Sequence, residues 1–151
     1  MAGKYFDEYE VGEEHITPSR TLTETDVVMF AAMTGDYNEL HTSAEFMKNS
    51  QFGRRLVHGL LGLADSHGLL FRLGLFEGTA IAFLGIESWT FEAPLFFGDT
   101  IRVRLQVNET RASRSKPDRG VVKFALQILN QDEVVVQSGY KTIMFRRKTG
   151  G

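Results

Sequence analysis

Residues 58–74 read HGLLGLADSHGLLFRLG. Leu60, Leu61, Leu63, Ala64, Leu69, Leu70, Phe71 and Leu73 occupy nearly every direction around a helix. A surface helix carries its apolar residues on one stripe, so a helix apolar on all sides is a buried one. The run is long for a strand, and Leu and Ala favour helix. Gly59, Gly62 and Gly68 lower helix propensity and point to close contact with backbone or ligand. This stretch predicts a long central helix that the rest of the chain must enclose.

Downstream the pattern changes to strands. Residues 79–93 form one long strand candidate ending at Pro94, and Gly98-Asp99 marks a turn. Over 100–108, Ile101, Val103, Leu105 and Val107 alternate with Arg102, Arg104 and Gln106, as in a strand with one wet face. Residues 112–120 are a polar loop, and Val122, Phe124, Leu126 and Ile128 alternate again. Asn130 to Glu133 reads as a hairpin turn before a last strand over 134–146. Long strands joined by turns imply a mostly antiparallel sheet.

Upstream, Tyr5, Phe6 and Tyr9 suggest an N-terminal arm that packs on the body. Residues 13–22 form a first strand that Pro18 confines to an edge or makes irregular. Thr23 and Asp26 have the spacing of a capping box with Asp in place of Glu. Val27, Phe30, Ala31 and Thr34 recur at helical spacing and predict an inward face, and Gly35 predicts the helix stop. Asp36-Tyr37-Asn38-Glu39-Leu40-His41 is then a polar loop. Thr42 and Glu45 repeat the cap signature ahead of a short helix around 43–49, and 50–57 is a loop carrying Arg54 and Arg55.

The expected architecture is α+β: one curved antiparallel sheet wrapped around one long central helix, as a single domain over residues 1–151. A monomer of this size leaves sheet edges bare, so a homodimer or a higher homo-oligomer is expected to cover them. The 151 residues, 42% hydrophobic with twelve Phe, supply enough core material for one domain. A formal net charge of −2 with dispersed Lys and Arg argues against a nucleic-acid surface. The chain has no cysteine, which removes disulfides and thiolate metal sites. The polar, acidic N-terminus is unlike a signal peptide, and no apolar run approaches the roughly 20 residues of a membrane span. A soluble, cytoplasmic protein is the expectation.

Asp36, Asn38 and His41 place a carboxylate, an amide and an imidazole within six residues, and His58 precedes the glycine that opens the central helix. Thr34 to His41 with Leu56-Val57-His58-Gly59 resembles the MaoC-like dehydratases, the family of R-specific enoyl-CoA hydratases. That family shows a Gly-Asp-x-Asn-Pro-x-His loop followed by a Val/Ala-His-Gly step. Phe91-Glu92-Ala93-Pro94 and Gly98-Asp99-Thr100 are similar to its later segments, so the resemblance covers nearly the whole chain. It implies a hot-dog fold, usually dimeric, and reversible syn addition of water to a trans-2-enoyl thioester of coenzyme A in fatty acid metabolism. Carried over residue by residue, Asp36 and His41 activate the water, and the Gly59 backbone N–H binds the thioester oxygen. Asn38 and His58 are the implied substrate-binding residues. Acyl-CoA is the expected substrate, with no metal, no further cofactor, no nucleic acid and no membrane partner.

The chemistry is consistent on its own terms. A carboxylate and an imidazole on one side of a double bond can share both proton transfers through a single water. A backbone N–H at a helix N-terminus suits the charge that grows on the thioester oxygen. Two positions depart from the family pattern. Glu39 stands where Pro is common, and His67, beside Ser66, stands where many members carry a hydroxyl. Asp65, Ser66 and His67 are candidates for lining an altered pocket. Plainer readings stand beside these: Asp36 as a loop-forming Asx residue, His58 as a packed core histidine, and Arg54, Arg55 and Arg114 as solvated arginines rather than partners of coenzyme A phosphates. A hot-dog thioesterase and a non-catalytic acyl-thioester binding module are the alternative functions.

Overall fold

A computed structural model describes residues 2–148. Six strands, β1 (Glu14–Ile16), β2 (Arg20–Thr21), β3 (Ala80–Phe91), β4 (Thr100–Ala112), β5 (Arg119–Leu129) and β6 (Val135–Arg146), form one sheet. The order is β1-β4-β5-β6-β3, with β2 also on β4, and every pairing is antiparallel. The alternation read from the sequence is the burial pattern: Val103, Leu105, Val122, Phe124, Leu126 and Ile128 are no more than 1% exposed. The first strand splits in two around Pro18 and lies on the β4 edge. β4 runs on to Ala112 and β5 starts at Arg119, so the polar loop is shorter than expected. The N-terminal arm packs as predicted: Tyr9 sits edge-on to Phe124 with ring centroids 5.6 Å apart.

Helix α1 (Glu24–Thr34) begins on the expected capping box. The Asp26 N–H donates to Thr23 Oγ1 at 3.2 Å, and the Thr23 N–H donates to Asp26 Oδ2 at 2.8 Å. It ends at Gly35, whose φ of 80° is the left-handed value that glycine adopts without a Cβ clash. Val27 and Ala31 are buried, but Thr34 is exposed. Its hydroxyl donates to the Phe30 carbonyl at 2.7 Å, so it closes the helix rather than packing inward. The loop after Gly35 contains a helical turn that the sequence pattern did not announce, α2 (Glu39–Thr42), and α3 (Ala44–Met47) follows. Ser43, not Thr42, caps α3, because the Thr42 hydroxyl is occupied with the carbonyls of Tyr37 and Asn38 at 3.0 and 3.1 Å.

The central helix is α4 (Gly59–Phe71). Sheet and helix together form the hot-dog architecture. One expectation needs correction: α4 is not buried all round. Leu61, Gly62, Ser66, Leu69 and Leu70 are buried, whereas Leu60 is 60% and Phe71 54% exposed. A single sheet covers one side of a helix. The remaining apolar side lies open, as do Ile81, Phe83, Leu84, Ile86 and Phe91 on edge strand β3.

Candidate active site

The loop after α1 is held by its own short polar side chains. The Asp36 N–H donates to Thr34 Oγ1 at 3.2 Å, and the Asn38 N–H donates to Asp36 Oδ1 at 3.3 Å. Asn38 Oδ1 caps α2 by accepting from the Leu40 N–H at 3.0 Å. Side-chain acceptors two residues back are the Asx device that folds such loops. Glu39 occupies the first helical position of α2. Proline and a carboxylate both suit that position, one by its fixed φ and the other by its charge at the positive helix end.

Two histidines tie this loop to the segment before α4. The Leu56 N–H donates to the Leu40 carbonyl at 2.9 Å. His41 Nδ1 lies 2.8 Å from the Leu56 carbonyl oxygen. A carbonyl only accepts, so Nδ1 carries the proton and Nε2 is left free toward Asp36. His58 Nε2 donates in the same way to the Asp36 carbonyl at 3.0 Å. The two imidazoles stack with centroids 3.8 Å apart, and the Phe30 ring packs against His58 with centroids 4.9 Å apart. His58 is 2% exposed, and its Nδ1 has no partner among the described residues.

His41 Nε2 then lies 3.9 Å from Asp36 Oδ2. That is too long for a direct hydrogen bond and suits one bridging water. The Asp36 side chain is 49% exposed and that of His41 12%, so the pair spans the mouth of the site. A cleft of about 400 Å³ opens from His41 past Phe52, Gly59, Phe91, Pro94 and Gln137. A second hollow of about 220 Å³ lies on the α1 side of His41, against Val28, Tyr37, Arg55 and Phe97. Gly59 is the first residue of α4, where backbone N–H groups have no partner within the helix. A Cβ on Gly59 would stand 2.8 Å from two Phe91 ring carbons, so glycine keeps this corner of the cleft open.

The structure brings Asp36 to His41 and puts His41 and Gly59 on one cleft, with Asn38 and His58 holding the loop from behind. Asp36, Asn38 and His58 are not among the cleft's lining residues: the Asn38 oxygen caps α2, and His58 is buried against His41. Of the further candidates, Asp65 faces Arg20 at 3.4 Å and Ser66 donates to the Leu63 carbonyl at 2.7 Å, both away from the cleft. His67 lines a different cavity beside Phe71 and Phe83. Phe91 is a wall residue of the cleft. Gln137 was not foreseen. The available signal was a polar residue at an inward position of an alternating strand.

Donor atoms of Asp36, His41 and His58 lie within 4.8 Å of one another, the only such cluster among the described residues. His58 Nε2 is committed to a carbonyl, which leaves its buried Nδ1 as the free nitrogen.

Sheet and central helix define a hot-dog protein. A family model for the MaoC-like domain matches residues 8–126. Over 133 residues the chain is 33% identical to a 3-hydroxybutyryl-CoA dehydratase of Methylorubrum extorquens, covering 87% of this chain and 78% of that one. It is 41% identical over 102 residues to protein MaoC of Klebsiella aerogenes, a match that takes in 68% of this chain and 30% of that longer protein. The unliganded R-hydratase PhaJ1 of Pseudomonas aeruginosa aligns with a TM-score of 0.79 at 29% identity, over 95% of this chain and 86% of that one. The chain belongs to the MaoC-like family of hydratases and dehydratases.

Proposed function

We propose that this protein catalyses the reversible hydration of a trans-2-enoyl-CoA to a 3-hydroxyacyl-CoA. The observation that carries the reading is the 3.9 Å gap between Asp36 Oδ2 and His41 Nε2, with the imidazole tautomer set by the Leu56 carbonyl. A water held in that gap attacks C3 of the enoyl chain. The pair removes its proton and returns a proton to C2 on the same face, so the water's hydroxyl and a hydrogen add syn. The electron pair released from the double bond moves toward the thioester oxygen. The Gly59 N–H, at the positive end of α4, stabilises that charge, an effect of roughly 10²–10³ in rate for one donor in related chemistry. Asn38 and His58 serve by holding the loop that carries the pair. The names of the two hydratase-type relatives support this reading.

The reaction so written needs no metal or further cofactor, and activity should survive dialysis against EDTA. The carrier is read as coenzyme A from a third hollow of about 500 Å³ that holds Lys48, Arg54 and Arg55 and shares Arg55 and Phe97 with the hollow beside His41. The Arg54 guanidinium lies 3.7 Å above the Phe96 ring. Arg54→Glu should then raise KM for crotonyl-CoA and leave KM for crotonyl-N-acetylcysteamine unchanged. The open apolar sides of α4 and β3 favour a homodimer, which light scattering would show as twice the 17.0 kDa chain mass.

The direct test follows loss of enoyl-thioester absorbance across crotonyl, longer, branched and carboxylated enoyl-CoA substrates. Turnover of at least one is expected, with a 3-hydroxyacyl-CoA as product. Release of free thiol instead would replace the hydratase by a thioesterase, and thermal stabilisation by acyl-CoA without turnover would make it a binding module.

A further inference from the structure

Strand β6 buries its odd-numbered side chains from 137 to 145, and two of those positions are polar. Gln137 and Lys141 are each 1% exposed. Gln137 is bonded at both ends of its amide. Its Oε1 accepts from Trp89 Nε1 at 3.0 Å, and its Nε2 donates to the Gly59 carbonyl at 3.0 Å. An indole N–H only donates and a carbonyl only accepts, so the amide has one orientation.

Several features of the chain make room for this pair. β3 slips register against β6 between Glu87 and Thr90, and Ser88 takes a φ of 51° there. A left-handed conformation costs a non-glycine residue about 1 kcal/mol or more and marks a place held by its surroundings. A Cβ at position 139 would lie 2.6 Å from Trp89 Cε3 and 3.0 Å from Trp89 Cα. A Cβ at position 62 would lie 2.6 Å from Gln137 Nε2. Gly139 thus admits the indole and Gly62 admits the amide.

Helix stability does not require the bond to Gly59. Helical geometry already supplies the Gly59 carbonyl with the N–H four residues on. Burying an amide gains nothing over burying a hydrocarbon of the same size unless its hydrogen bonds are made, and then it breaks about even. What the amide adds is direction, at the helix end that opens into the cleft.

We propose that Gln137, held by Trp89, is a positioning residue that fixes the first turn of α4 through the Gly59 carbonyl and so aims the Gly59 N–H into the cleft. This rests on the hydratase reading for its catalytic consequence and on geometry alone for its structural one. The two are tested separately.

The experiment compares wild type with Gln137→Met, Gln137→Glu and Trp89→Phe by crotonyl-CoA kinetics, thermal unfolding and 15N–1H NMR. Gln137→Met should lower kcat by roughly 10- to 100-fold, since small misplacements of a catalytic group cost about that much. KM should stay within about threefold. Gln137→Glu keeps the acceptor for Trp89 and loses the donor to Gly59 once its carboxyl is ionised, so at pH values above that ionisation it should behave like Gln137→Met. Trp89→Phe removes the N–H donor together with part of the indole but leaves the Gln137 amide in place, and should give a smaller loss in the same direction. All three should shift the Gly59 and Leu60 amide resonances. Wild-type kcat in folded Gln137→Met would overturn the inference. So would a raised KM at unchanged kcat, which would put Gln137 on the substrate. Where Gln137→Met does not fold, wild-type kcat in Trp89→Phe decides against it. An inactive wild type on every enoyl-CoA is a failure of the hydratase reading alone. The amide resonances then decide, and unmoved Gly59 and Leu60 signals would overturn the positioning role.

Discussion

Histidines near the two ends of α4 stand in opposite electrostatic settings. At the N-terminal end, His41 packs on the capping His58, spends one nitrogen on a backbone carbonyl and turns the other toward a carboxylate. Nearer the C-terminal end, Lys141 Nζ lies 3.3 Å from His67 Nδ1. Burial, and then the Lys141 charge, hold the His67 imidazole below its ordinary pKa. An ammonium neighbour opposes protonation of an imidazole. Residue type alone does not separate the two histidines; the nearest charged group does, a carboxylate for His41 and an ammonium for His67.

The sharpest way to break this contrast is to remove the pair at the first end. Asp36→Asn and His41→Ala should each lower crotonyl-CoA hydration by roughly 10²–10⁴-fold, the range for general acid–base groups, with the fold retained by circular dichroism. Full activity in both would end the proposed chemistry. Gly59→Ala comes next. Its methyl would displace the Phe91 ring, which is 53% exposed and can move aside. Activity should fall by roughly tenfold or more through lost access to the N–H, while the melting temperature changes little.

At the other end the effect is on stability. Burial lowers the Lys141 ammonium from its ordinary 10.5 to about 8. Between those values the unfolded chain holds a proton that the folded chain does not, so stability rises as pH climbs from about 8 to about 10.5. Lys141→Met should abolish that rise and stabilise the protein at pH 7 by up to roughly 3 kcal/mol, at about 1.4 kcal/mol for each unit of pKa. Urea unfolding at pH 7 and pH 10 checks both. The smallest expected effect is that of His67→Ala, which should leave kcat/KM within about threefold. A loss as large as that of His41→Ala would erase the distinction between the two ends.

How far the sequence could be read depended on how far each partner lay along the chain. Thr23 and Asp26 are three residues apart, and their capping box formed as written. The strand alternation and the Gly35 stop are equally local. Asp36 and His41 were nameable as a pair through the family pattern, but the imidazole tautomer depends on Leu56, fifteen residues on. Gln137 reaches Gly59 across 78 residues, and no local pattern announces such a bond. The Thr42 cap failed for a related reason: its hydroxyl had a nearer use in the turn before it.

The sequence by itself therefore determined the strand alternation, the α1 capping box and its Gly35 stop, because periodicity, caps and turn glycines act over a few positions. Only the tertiary structure decided which side of α4 the sheet covers, which nitrogen of His41 faces Asp36, and that an amide from β6 grips the first turn of the helix. Those outcomes depend on where distant segments meet, and hydrogen-bond direction is set by the partner that arrives.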